Sequence, residues 1–174
     1  LGHAHPRVTA AIHAQVDKLI GPINAIGFTA PISDLATALA ATFPDPLDSV
    51  MFLNSGSEAI DGALKLARRV TGRPGIVAFR GGFHGRTYGS VSLTASRAKY
   101  HQGFDPLLPG VYHAPYGRVE DLRWFDEVLF DKLVPAEEVA AIIVEPIQGE
   151  GGYNVPEDGF LAGLREICDR HGIL

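Results

Sequence analysis

The sequence predicts an α/β fold built on a parallel sheet with helices on both faces. Three observations carry this reading: short apolar runs alternate with longer runs of helical periodicity, those apolar runs are nearly uninterrupted, and glycine or proline marks most junctions. A strand covered on only one face alternates apolar with polar residues, whereas one covered on both faces stays apolar throughout. With 174 residues, of which 46% are hydrophobic and 20% charged, the chain is long enough to bury one core of ordinary size.

The elements follow in order. Pro6 suits the first turn of a helix over 6–19, closed by Gly21-Pro22, and Pro31 opens a second over 31–43 with Leu35 and Leu39 on one face. These form an N-terminal helical segment, 1–45, leading into the main domain, 46–174. "SVMFL" (49–53) reads as the first strand and is followed by a helix over 56–71 that Gly72 ends. "GIVAF" (75–79) is the next strand and runs into the glycine-rich "RGGFHGRTYG". Then come "GVYHA" (110–114), a helix over 119–133, the strand "VAAIIVEP" (139–146), a loop and a helix over 158–171. Gly172 closes that helix, and Ile173 and Leu174 open a further strand. The start on "LGHAHP" and the unfinished strand at the other end suggest a fragment.

Several functions are disfavoured. A net charge of -5 does not suit a general nucleic-acid binder, which needs a basic face. No apolar run approaches the roughly 20 residues of a membrane span, and no signal peptide opens the chain. The one cysteine, Cys168, reads as a buried structural thiol in a reducing compartment, with the cytoplasm as default. His3 and His5 lack companions at zinc spacing, so no metal site is expected, and His13, His101, His113 and His171 read as surface or packing residues. No glycine fingerprint for a dinucleotide follows a strand.

Open parallel sheets bind ligands beyond the carboxyl ends of their strands, and three strand ends here carry suitable chemistry. After the first, Ser55 and Glu58 have capping-box spacing: Ser55 takes the Glu58 N–H and Glu58 reaches back to the Ser55 N–H. The N–H groups of Gly56 and Ser57 remain free at the positive end of the helix, where an anion is favoured. Taken alone, the stretch equally describes a capped helix and nothing more. After the second strand, Phe83 can stack on a planar ligand, His84 sits beside it, and Arg86 can grip a carboxylate by two hydrogen bonds; a solvent-facing turn is the alternative. After "VAAIIVEP", Glu145 and Glu150 can orient a ligand, accept its protons or neutralise an arginine, although surface acids are common. Together the three ends describe a pocket for a flat, phosphate-bearing ligand that handles a carboxylated substrate.

"FLNSGSEAIDGALKLAR", "GGFHGRT", "GFDPLLPGVYHAPYG" and "IIVEPIQGEGG", in this order and separation, resemble the class III aminotransferases, and the resemblance runs from "GHAHPRVTAAIHAQV" to "CDRHGIL". It implies the three-layer αβα sandwich of the fold type I pyridoxal-phosphate transferases, present here as about the first half of the large cofactor-binding domain. It also implies pyridoxal 5'-phosphate as cofactor, with its phosphate on Ser55, Gly56 and Ser57, Phe83 stacked on its ring, and His84 and Glu145 beside it. Arg86 would bind a substrate carboxylate, and Glu150 would match the acid that pairs with a distant arginine in the 4-aminobutyrate and ornithine enzymes. The implied activity of the parent protein, as a homodimer, is transfer of an amino group from an omega-amino acid or related amine to a 2-oxo acid. An aminomutase, a decarboxylating lyase and a non-catalytic binding module are the alternatives. Lys18, Lys65, Lys99 and Lys132 match none of the family's catalytic positions, so no catalytic residue is expected in this chain and it should be inactive alone.

Overall fold

A computed structural model describes residues 2–21 and 27–174, in two compact units, Leu1–Phe52 and Leu53–Leu174. In the first unit, α1 (Pro6–Val16) and α2 (Ala30–Ala40) start near the prolines that predicted them and end about three residues early. α2 stops because Pro44 disfavours helical geometry at Phe43, and the chain leaves through a turn at Thr42 and Phe43. Past α1 the chain tightens into a turn, where the Gln15 side chain donates to the Leu19 carbonyl. Pro22, expected to close this segment, lies outside the described residues.

The expected strand at 49–53 does not form. Its backbone groups make no backbone hydrogen bond among the described residues, and Met51 and Leu53 are exposed. An apolar run becomes a strand only where a neighbouring edge accepts its ladder, and no described strand lies alongside this one.

The second unit is a three-layer sandwich. Three parallel strands, β1 (Gly75–Phe79), β2 (Val111–Ala114) and β3 (Val139–Ile142), lie in the order β2-β1-β3. β1 is central and wholly buried, which its uninterrupted apolar sequence requires. Ile76 and Ala78 face one cluster with Leu64, Ala67 and Leu93, supplied by α3 (Gly56–Thr71) and α4 (Tyr88–Leu93). Val77 and Phe79 face the other, with Phe125, Leu129, Phe160 and Leu164, supplied by a π-helical segment (Phe125–Leu133) and α5 (Phe160–His171). β3 carries a bulge: Gly75 pairs with Val139 but Ile76 with Ala141, so Ala140 is an extra residue. Leu174 donates to Ala140 and accepts from Ile142, as the opening of a further strand beside β3 would. Arg73 clamps this edge, donating to the carbonyls of Val139, His171 and Gly172 at 3.1 Å each.

Three further differences from expectation are local. The run 119–133 is helical but changes pitch, from a 3-10 turn at Val119–Leu122 to the wider π segment that turns Phe125 and Leu129 inward. β3 stops at Ile142 rather than 146 because the chain leaves the ladder after the Ile143 N–H bonds to the Val77 carbonyl. α4 was not expected, since Gly89 and two serines are poor helix formers; Ser90 and Ser92 are buried there by returning their hydroxyls to the carbonyls of Thr87 and Tyr88. Cys168 is a buried free thiol, and burial pushes its pKa up. No helix among the described residues is long and apolar enough to cross a membrane.

Phe79 joins the layers at the sheet's carboxyl end, edge-on to Tyr116 and Phe160 and tilted on Phe125. Phe79→Ala is expected to lower unfolding free energy by about 3–5 kcal/mol, read from the urea midpoint; a loss below about 1 kcal/mol would mean that the aromatic cluster does not hold the sandwich together.

Candidate active site

β1 delivers the loop Gly81–Arg86 at its carboxyl end, and α3 presents its first turn beside it. Ser55, Gly56, Ser57, Phe83, His84 and Gly85 line one cleft of about 560 Å³. The cap of α3 forms largely as the sequence predicts: the Ser55 hydroxyl accepts from the Glu58 N–H at 3.2 Å. Glu58, however, reaches one residue further back, to the backbone N–H and side-chain amide of Asn54 at 2.8 and 2.9 Å, because Asn54 offers its carboxylate two donors. The N–H groups of Gly56 and Ser57 have no acceptor among the described residues. A Cβ built on Gly56 meets nothing within 4 Å, so the backbone there is open to a ligand.

The loop is fixed against α3 by a close approach. The Ser57 hydroxyl accepts from the Arg86 N–H at 3.2 Å, and Gly85, at φ +129°, lies so close to that hydroxyl that a side chain there would collide with it. The N–H of His84 bonds to the buried Thr94 hydroxyl at 2.9 Å, and the Phe83 N–H donates to Glu145 at 2.9 Å. The other oxygen of Glu145 takes the Gly149 N–H at 3.1 Å. Glu145 therefore brackets two loops and stands at the base of the Phe83 turn.

Arg86 extends from this loop into solvent with its guanidinium 5.9 Å from the Phe83 ring centre and 5.3 Å from that of Tyr100. It makes no ion pair among the described residues. Glu150 sits on the other end of Tyr100, whose hydroxyl donates to it at 2.9 Å, and Arg97 approaches it at 3.4 Å. The carboxyl of Glu150 is held below the usual range, chiefly by the nearby Ser96 hydroxyl and then by Tyr100. The Ser96 hydroxyl and the second Glu150 oxygen lie near one another without a well-formed hydrogen bond.

Burial pushes the His84 pKa below its ordinary 6.5; Glu145 opposes this and His113 adds to it. His113, whose ring nitrogen meets the Leu93 carbonyl, is lowered too, again mainly by burial.

Three residues that hold the site were missed. Tyr100 lies in a three-residue 3-10 turn too short for any periodicity, and Thr94 follows a helix that the sequence hides. Gln148 falls inside a motif singled out for its acids, yet its buried amide donates to the Arg80 carbonyl and crowds Gly81, whose φ of +81° no side chain would suit.

The class III aminotransferase model, "Aminotransferase class-III", matches residues 1–174. The chain belongs to the class III aminotransferase family. Among relatives in this family, it is 43% identical to the acetylornithine aminotransferase of Methanopyrus kandleri, over 100% of the chain and 42% of that protein. To a probable 4-aminobutyrate aminotransferase of Bacillus subtilis it is 36% identical, over 100% of the chain and 43% of the relative. Its fold superimposes with a TM-score of 0.90 on an amine transaminase from an uncultivated Pseudomonas species, crystallised in a PLP-bound form, at 32% identity over 99% of this chain and 44% of that one. The chain thus spans well under half the length of the curated relatives it matches.

A linkage prediction follows from the two histidines. Both bind a proton less readily folded than unfolded, so the stability they contribute is complete above pH 6.5 and is lost as pH falls below it. Urea midpoints are expected to drop between about pH 7 and pH 5, and a His84→Asn/His113→Asn variant to show a shallower drop; equal slopes would mean that neither imidazole is held neutral by the fold.

Proposed function

We propose that this chain is part of a homodimeric, cytoplasmic aminotransferase that uses pyridoxal 5'-phosphate to move an amino group from an omega-amino acid or related amine to a 2-oxo acid. Residues 46–174 form the first part of its cofactor-binding domain. One observation carries the reading: two N–H groups without an acceptor among the described residues, at the start of a 16-residue helix, share a cleft with an aromatic ring and a half-buried imidazole. That donor set fits a phosphate joined to a flat ring. The N–H groups of Gly56 and Ser57 hold the phosphate, with the helix dipole favouring its charge. Phe83, whose backbone N–H is held by Glu145, would lie against the ring, with His84, its pKa lowered by burial, beside it. When bound, the cofactor supplies an aldehyde that takes up the donor amine and a ring that withdraws electrons.

Arg86 anchors the substrate carboxylate, and Glu150 is the acid across from it. The names of the acetylornithine and 4-aminobutyrate relatives support an amine remote from a carboxylate as donor. We place the lysine that carries the cofactor outside residues 1–174: Lys65, Lys99 and Lys132 are not among the residues that line the cleft, and neither they nor Lys18 match the family's catalytic position. Reductive trapping and peptide mapping of the full-length enzyme would refute this by finding cofactor on any of the four.

Gly56→Val tests the phosphate cup, since a Cβ there meets nothing within 4 Å and the added bulk stands where a ligand would approach the backbone. It is expected to lose cofactor affinity out of proportion to its melting-point change, whereas Ser55→Ala loses about 1 kcal/mol of helix cap and keeps the backbone donors. Equal cofactor affinities by titration would return the stretch to simple capping.

Arg86→Ala in the full-length enzyme is expected to leave cofactor bound and to lower kcat/KM for carboxylated donors about a hundredfold, the loss of a charge-assisted pair worth roughly 2–3 kcal/mol. Unchanged kinetics on every carboxylated amine would remove Arg86 from the substrate site.

A further inference from the structure

We propose that Tyr100 is a positioning residue that keeps Arg86 and Glu150 from neutralising one another, and so leaves Arg86 open to a substrate carboxylate. This rests on the reading of Arg86 as carboxylate anchor. Tyr100 engages both groups by different parts of one side chain: its ring lies 5.3 Å from the Arg86 guanidinium, and its hydroxyl holds a Glu150 oxygen at 2.9 Å. Its ring is itself fixed, edge-on to Phe83 at 5.3 Å, and the same Phe83 lies under Arg86. Arg86 consequently stands over two aromatic faces with no acid partner among the described residues, while Glu150 is engaged by Tyr100 and Arg97.

The arrangement answers a problem of charge. A lone guanidinium beside a carboxylate on a neighbouring loop gains by closing on it, and a closed pair presents no net charge to an incoming anion. An aromatic face offers a cation a weaker attraction that leaves the N–H fork unspent. The hydroxyl meanwhile gives Glu150 a neutral donor at the required distance. Remove the whole side chain, and each group loses a restraint at once, leaving Arg86 to Phe83 and Glu150 to Arg97.

The test is calorimetric binding of glutarate, a dicarboxylate that undergoes no transfer, to the full-length protein and its variants. Tyr100→Ala is expected to weaken glutarate about tenfold, the scale of one cation–aromatic contact and one surface ion pair combined. Tyr100→Ala with Glu150→Gln is expected to regain most of that loss, since no acid remains to capture Arg86. Tyr100→Phe, which keeps the ring and guards against misfolding, is expected to fall between wild type and Tyr100→Ala. Failure of the double variant to recover, with Tyr100→Phe like wild type, would reduce Tyr100 to ordinary packing and overturn the proposal. If Arg86→Ala binds glutarate as wild type does, the anchor reading itself fails; if Arg86→Ala loses binding while Tyr100→Ala does not, only the role of Tyr100 falls.

Discussion

The loop that leaves β1 at Gly81 carries backbone N–H groups that can no longer join a ladder, and most of them are claimed by groups from several parts of the second unit. Gly81 donates to Ala95, Gly82 to Phe79, Phe83 to Glu145, His84 to Thr94 and Arg86 to Ser57. Half-buried donors left unmet would each cost about 1–3 kcal/mol, so the loop has one well-satisfied path. Because its acceptors lie on the first turn of α3, the end of α4 and the stretch that follows β3, fixing this loop also fixes those elements around the cleft.

The same economy explains why the start of α3 stays open. Ser55 and Glu58 satisfy the donors of Glu58 and Asn54, and the Ser57 hydroxyl is occupied by Arg86, but the Gly56 and Ser57 backbone donors find no acceptor among the described residues. These two donors stand at the positive end of a helix.

Much of this was legible in the sequence, for identifiable reasons. β1 and α3 were readable because burial on two faces and a capped amphipathic stripe each write a pattern over many residues. Ser55, Gly56, Ser57, Phe83 and His84 were readable because glycine punctuates both stretches after helical or strand signals, and they do meet in one cleft. The apolar run at 49–53 misled because a strand also needs a neighbour, which local sequence does not encode. Tyr100 and Thr94 escaped because each acts through one side-chain contact across the fold rather than through a repeating pattern. Glu145 was seen as an acid near a ligand, whereas its two oxygens are spent on backbone donors of separate loops, a geometry that spacing alone does not express.

The extra residue in β3 has a reach beyond its own position. Beyond Ala140 the alternation is restored, with Ile142 and Val144 toward the α5 side and Ile143 toward the α3 side. Counting on, Glu145 falls in phase with Ile143, on the side where α3 and the Phe83 loop stand. Ala140 and Ala141 both lie on that side, so the bulge absorbs the additional residue, and Val139 before it and Ile142 after it face α5 alike. β3 therefore holds a place where one residue can be lost without turning the carboxylate over, whereas a change of length between Ile142 and Glu145 would send it to the other surface.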